Sequence, residues 1–270
     1  MRPTPRALRW FKHIERHGPQ SSEFLYELTR DTHRCKDTAL RDLQKLRAGG
    51  FLQLPKQQRA TERAEFNPYI YDLTRQAHDH LKGLGLAEIT VRLTGHWWHA
   101  YTVSAFTGSL DIVAQRNGNT FIPAHEILER NGAELAIPLH GGKVIPDQLF
   151  AIRYPEGFRA FMLEVDRGTE PIQSGAARKS LAKSVEQYSQ LLNSDAHRRH
   201  YDLRANTLIL WVFNNPARMV EFQNLLQARC PAQAPSFLCK VVPFRLSWEN
   251  LQSLHQAAWV SANDEAVDGV

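Results

Sequence analysis

The chain has 270 residues, 43% of them hydrophobic, with 33 Lys and Arg against 28 Asp and Glu and a formal net charge of +5. That apolar content excludes a wholly disordered chain, and the mild basic excess suits a nucleic-acid partner without requiring one. Three scattered cysteines, Cys35, Cys230 and Cys239, argue against a disulfide framework and against a zinc site. No apolar run approaches the roughly 18 residues of a membrane span, and Met1–Arg6 has no apolar signal core, so a cytoplasmic protein is expected.

In chain order, Ala7–His17 reads as a helix with Leu8, Phe11 and Ile14 on one face, stopped by Gly18-Pro19. Ser21 or Ser22 can cap a second helix through Phe24, Leu25 and Leu28. A third, Lys36–Arg47, would turn Ala39 or Leu40, Leu43 and Leu46 inward and end at Gly49-Gly50. Two strands follow, Phe51–Leu54 and Tyr69–Leu73, separated by the basic stretch 56–63, and Thr74–Leu84 closes as a helix.

The exposed face of the third helix would carry Arg34, Lys36, Thr38, Arg41, Gln44 and Lys45, poised for a DNA major groove, with Lys56, Arg59 and Arg63 on phosphates. The bland alternative is a solvated basic helix in a protein-binding module. Three helices and a basic-tipped hairpin is the order of a winged helix-turn-helix. Tyr71-Asp72-Leu73-Thr74-Arg75-Gln76-Ala77 resembles the Y-x-L-T-x-x-G phrase that closes the wing in bacterial winged-helix regulators, with Ala77 at the glycine position.

Leu86–Gln115, with His96-Trp97-Trp98-His99 near its start, reads as a helix entering a second domain, the histidines more suited to packing than to metal. Glu126 and Glu129 are surface acids or further carboxylates for a metal site. Strands are expected over Val144–Ile152 and Phe158–Val165, a helix over Ala176–Leu192, a strand over Thr207–Phe213, a helix over Pro216–Ala228 and a last strand over Phe237–Val242. That alternation points to an α/β sheet covered by helices. The expected division is 1–85, 86–262 and a flexible tail, 263–270.

Asp147 opens the acidic hairpin, and Glu164 and Asp166, two apart on its second strand, share a face. Three carboxylates on one spot would suit Mg²⁺ or Mn²⁺, provided they lie within about 5 Å of one another. Pro146-Asp147 followed by Glu164 resembles the PD-(D/E)xK nuclease superfamily, the restriction-endonuclease fold. The resemblance implies metal-binding roles for Asp147 and Glu164. Asp166 stands where that pattern has its lysine, which leaves Lys179 and Lys183 on the following helix as candidates and Asp166 as ligand or neighbour.

Glu164-Val165-Asp166-Arg167-Gly168-Thr169-Glu170 is similar to the E-x-D-x-G-T-E stretch of the replication-relaxation family, and Lys179–Tyr188 resembles its K…Y helix. Membership would imply a winged helix followed by a nuclease-like domain, related to mobilisation relaxases. The expectation is a protein of plasmid or mobile-element replication or mobilisation that binds double-stranded DNA and cuts or nicks it with Mg²⁺ or Mn²⁺. The alternative is a regulator with a silent nuclease-like domain. Relaxosome or replication proteins and a homodimer are compatible partners, and a membrane is not.

Overall fold

The structure is a computed structural model and describes residues 2–59 (Arg59 by its backbone alone), 68–88, 96–168, 171–174, 180–205, 207–243, 245–261 and 266–267. The chain divides into two compact units, Met1–Val113 and Ala114–Val270, so the division falls at 113 rather than at 85.

In the first unit, α1 (Pro5–His17) starts at Thr4, whose side chain accepts from the Ala7 amide, with Pro5 in a first-turn position where it forfeits no helix bond. It stops at Gly18, whose φ of +95° suits glycine. A short strand β1 (Gln20–Ser21) leads into α2 (Ser22–Leu28), capped by Ser21, and α3 (Lys36–Ala48) follows. Next come β2 (Leu52–Gln53), one helical turn α4 (Lys56–Arg59), β3 (Ile70–Leu73) and α5 (Arg75–Gly83), whose N-terminus is capped by Thr74. The three strands form an antiparallel sheet in the order β1-β3-β2.

Trp10, Phe11, Ile14, Phe24, Leu25, Ala39 and Leu43 are buried. Each large apolar side chain removed from water contributes roughly 1.5–3 kcal/mol. Ala39, not Leu40, takes the inward position on α3, because Ala39 is fully buried and Leu40 only partly so. The long helix α6 (Trp97–Arg116) begins eleven residues later than the expected Leu86. Its Gly108 lets Gln20 approach closely: a Cβ there would stand 2.5 Å from Gln20 Oε1, while Gln20 Nε2 donates to Ser104 O at 2.9 Å.

The second unit holds β4 (Thr120–Pro123), α7 (Ala124–Glu129), a small hairpin of β5 (Ile137–Leu139) and β6 (Gly142–Val144), then β7 (Gln148–Tyr154) and β8 (Gly157–Asp166). It continues with α8 (Leu181–Asn193), α9 (Ala196–Tyr201), β9 (Thr207–Phe213), α10 (Pro216–Arg229), β10 (Phe237–Val241), α11 (Trp248–Gln256), β11 (Trp259–Ser261) and β12 (Ala266–Val267). The main sheet runs β12-β11-β10-β9-β8-β7-β4. Strands β8, β9 and β10 are parallel to one another, and the flanking pairs are antiparallel. The fold class is therefore mixed α/β.

Strand β8 lies in the middle of this sheet and is buried from Ala160 to Asp166. Phe121, Phe150 and Phe161 stack across β4, β7 and β8 with centroids 5.1 and 5.2 Å apart. The strand expected from Val144 instead begins at Gln148: Val144 ends the β5–β6 hairpin, and Pro146, with no N–H to give a ladder, separates the two. In the expected helix, positions 175–179 lie outside the described residues, and Ser180 caps a helix that starts at Leu181. The expected free tail contains a paired strand, for Ala266 and Val267 ladder with Val260 and Trp259. No helix among the described residues is long and apolar enough to cross a membrane.

Candidate metal centre and nucleic-acid interface

Asp147 is placed by the start of β7. Because β7 and β8 are antiparallel and Gln148 is opposite Leu163, the beginning of β7 lies beside the end of β8. Asp147 Oδ2 accepts the Val165 backbone N–H at 2.8 Å. Glu164 is 6% exposed, and its Oε1 accepts the Tyr188 hydroxyl at 2.5 Å. Burial pushes the Tyr188 phenol well above its ordinary pKa, and the negative charges of Glu164 and then Asp147 push it the same way. Tyr188 thus stays a proton donor and registers both carboxylates. Trp211, the register partner of Glu164 on β9, meets the Tyr188 ring edge-on at 5.7 Å.

Asp166 is committed elsewhere. Its Oδ1 accepts the Gly168 amide at 2.5 Å and its Oδ2 accepts Arg218 Nε at 2.9 Å. Arg218 comes from the first turn of α10, which Asn215 caps and Pro216 opens directly after β9. Among the described residues, one set of three His, Cys, Asp or Glu side chains brings its ligand atoms within 4.8 Å of one another, and it is His13, His17 and Asp111. Asp147, Glu164 and Asp166 are not such a set. Asp147 and Glu164 share the surroundings of Tyr188, while sharing a strand face did not stop a guanidinium from holding Asp166. Oxygen ligands from one or two carboxylates, completed by waters and phosphate, still fit Mg²⁺.

Lys183 lies half-buried in the first turn of α8, the helix that also carries Tyr188, and its amide donates to Ser180 Oγ at 3.4 Å. Lys179 falls outside the described residues. Glu126 and Glu129 are exposed on α7. Sequence reasoning missed the partnerships of Tyr188 and Arg218. The tyrosine of the K…Y helix was the signal for the first; the second had only an arginine just after an Asn-Pro helix start.

In the first unit, Arg34, Lys36, Arg41, Gln44 and Lys45 are exposed and Thr38 is half-buried. Several are loosely tied: Lys36 lies 3.4 Å from Glu23, Lys45 3.5 Å from Asp42, and Thr38 Oγ1 donates to Cys35 O at 2.7 Å. Arg6, Thr32, Arg34, Thr38, Arg41, Asp42 and Lys45 line a surface hollow of about 300 Å³ at the start of α3. Lys56 is exposed on α4, whereas the Arg59 side chain and Arg63 lie outside the described residues.

The chain is thus a two-unit α/β protein, with a helical unit that exposes basic residues on α3 and a second unit built on a mixed sheet that carries Glu164 on β8 and Asp147 just before β7. The chain belongs to the replication-relaxation family, which matches residues 11–207. Its role is thereby in the replication or mobilisation of plasmids or mobile elements. The matched stretch contains Asp147, Glu164 and Tyr188 and ends before Arg218. No curated protein and no solved structure gives a significant match to the chain.

Proposed function

We propose that the chain binds double-stranded DNA through the exposed face of α3 and hydrolyses a phosphodiester at the Asp147–Glu164 pair, as a nickase or endonuclease. The observation that carries the proposal is a pair of hydrogen bonds: Asp147 accepts the amide of Val165, the chain neighbour of Glu164, and Glu164 accepts the Tyr188 hydroxyl. Hydrogen bonds of that kind lock the rotamers of the two acids ahead of any ligand. The element order and the sheet order β1-β3-β2 support a winged helix in the first unit.

In this reading Asp147 and Glu164 would hold Mg²⁺ or Mn²⁺. When bound, such an ion supplies Lewis-acid stabilisation of phosphoryl charge and lowers the pKa of a water. Tyr188 keeps Glu164 oriented, Arg218 keeps Asp166 aside, and Lys183 is the candidate to position a water or meet a phosphate. Arg34, Lys36, Thr38, Arg41, Gln44 and Lys45 would face the groove, with Lys56 on the backbone and Arg59 and Arg63 proposed alongside it.

A second reading is a DNA-binding regulator that does not cut. It is favoured by the Asp166–Arg218 pair, which fills the place where the resembled superfamily has a lysine. The test is plasmid nicking in Mg²⁺ or Mn²⁺ on a site shown to bind the protein, comparing wild type with Asp147→Ala and Glu164→Gln. Cutting lost in both variants, with binding kept, supports the enzyme. Tight binding without cutting by the wild type leaves the regulator.

A further inference from the structure

His13 and His17 sit four apart on α1, on one helical face, with ring centroids 4.6 Å apart. Asp111 of α6 meets both, its Oδ2 lying 2.9 Å from His17 Nε2 and 3.6 Å from His13 Nδ1. All three side chains are buried, and His13 Nε2 has no hydrogen-bond partner.

The protons on this cluster can be counted. Thr107 Oγ1 donates to Val103 O at 3.0 Å and lies 3.1 Å from His17 Nδ1. The line Val103 O, Thr107 Oγ1, His17 Nδ1, His17 Nε2, Asp111 Oδ2 therefore has three contacts. Thr107 and a neutral imidazole bring two protons between them. Turned toward Nδ1, the hydroxyl lets Nε2–H donate to Asp111 at 2.9 Å; turned toward Val103 O, it accepts from Nδ1–H and leaves the Nε2 lone pair to an ion.

Arg16 lies 3.4 Å from Asp111 Oδ2, while its Nε and Nη2 meet Glu88 at 3.0 and 2.8 Å. It is the more closely engaged with Glu88.

We propose that His13, His17 and Asp111 form a binding site for a divalent transition-metal ion, Zn²⁺ in the first instance. Two imidazoles and a carboxylate are a ligand set that zinc takes at about 2.0–2.2 Å. Thr107, accepting from Nδ1–H, fixes the tautomer that turns the Nε2 lone pair inward. The ion would tie α1 to α6, and the site is independent of the acids near Tyr188.

The experiment uses the full chain without a histidine tag, stripped with EDTA and titrated with Co²⁺ in visible absorption, then with Zn²⁺ in competition. One equivalent is expected to bind, with a rise in Tm. His13→Gln is expected to weaken binding at least tenfold, as is Thr107→Val, which keeps the shape of its site. Three results overturn the proposal: no uptake of Co²⁺ or Zn²⁺ at micromolar concentration, undiminished uptake by folded His13→Gln or Thr107→Val, or an imidazolium His17 at pH 7 in ¹⁵N NMR.

Discussion

Two buried carboxylates, Asp111 in the first unit and Glu164 in the second, meet different kinds of group. Asp111 meets His17, His13 and Arg16, groups that carry or can carry positive charge. Burial works to raise its pKa, and the contacts with His13 and His17 outweigh it, so the group titrates well below the carboxylate range. Glu164 is met by the phenol of Tyr188, and Asp147 beside it by a backbone amide. A phenol and an amide orient a carboxylate without supplying a unit charge, and an arginine does both. Holding a carboxylate in place and neutralising it are separate tasks, and the two regions weight them differently.

Removing the acids should separate the regions most sharply. Glu164→Gln and Asp147→Ala are each expected to lower metal-dependent nicking by about 1000-fold or more, roughly 4 kcal/mol of transition-state stabilisation. Asp166→Asn, whose partner is Arg218, should lower it by at most about tenfold in the same nicking assay, or roughly 1.4 kcal/mol. Equal losses in all three variants would return Asp166 to the metal site.

Asp111→Ala should leave DNA cleavage chemistry intact but destabilise the first unit. Stripping one partner from a buried charge cluster costs roughly 3–5 kcal/mol, to be read from the midpoint of urea unfolding in EDTA. A loss under about 1 kcal/mol would mean that the cluster is not held by charge.

The pH dependence follows from His17, whose folded pKa of about 4 lies below the ordinary histidine value of 6.5. The unfolded chain takes the proton first, so stability is fully present above pH 6.5 and is lost as pH falls toward 4. The amount is on the order of 3 kcal/mol. The depressed pKa of Asp111 acts in the same direction, its contribution being lost below the ordinary carboxylate range. A metal-free chain that instead gains stability on acidification holds His17 as an imidazolium, and the zinc inference falls with it.

The smallest expected effect belongs to the exposed face of α3. Arg41→Ala with Lys45→Ala should weaken DNA binding across sequences and lower the salt dependence of log Kd by about two, one for each phosphate contact removed. An unchanged salt slope, measured by fluorescence anisotropy, would take these residues off the DNA.

Local signals carried much of this structure. The periodicity of Lys36–Arg47 placed Leu43 and Leu46 inward and Lys36, Arg41, Gln44 and Lys45 in solvent, because a helix face is set by spacing alone. The strand Thr207–Phe213 was legible to the residue, since six apolar positions after Thr207 in a parallel strand need no alternation. The pairing of the strands beside Asp147 and Glu164 was legible as an acidic hairpin. The commitment of Asp166 was not, because Arg218 lies 52 residues away and reaches it only once β8 and β9 are parallel. Nor was the His13–His17–Asp111 cluster, since Asp111 stood unremarked in an apolar helical run.

The β7–β8 hairpin, closed by Pro155 and Glu156 between Tyr154 and Gly157, also bears on the order of assembly. It brings Asp147 and Glu164 together without a long-range crossover, and its loop is among the cheapest to close. Hairpins form in about 1–10 μs, well before a parallel pairing such as β8 with β9 need be in place. The two acids can therefore meet early, while Tyr188 and Arg218 dock onto a pair already made.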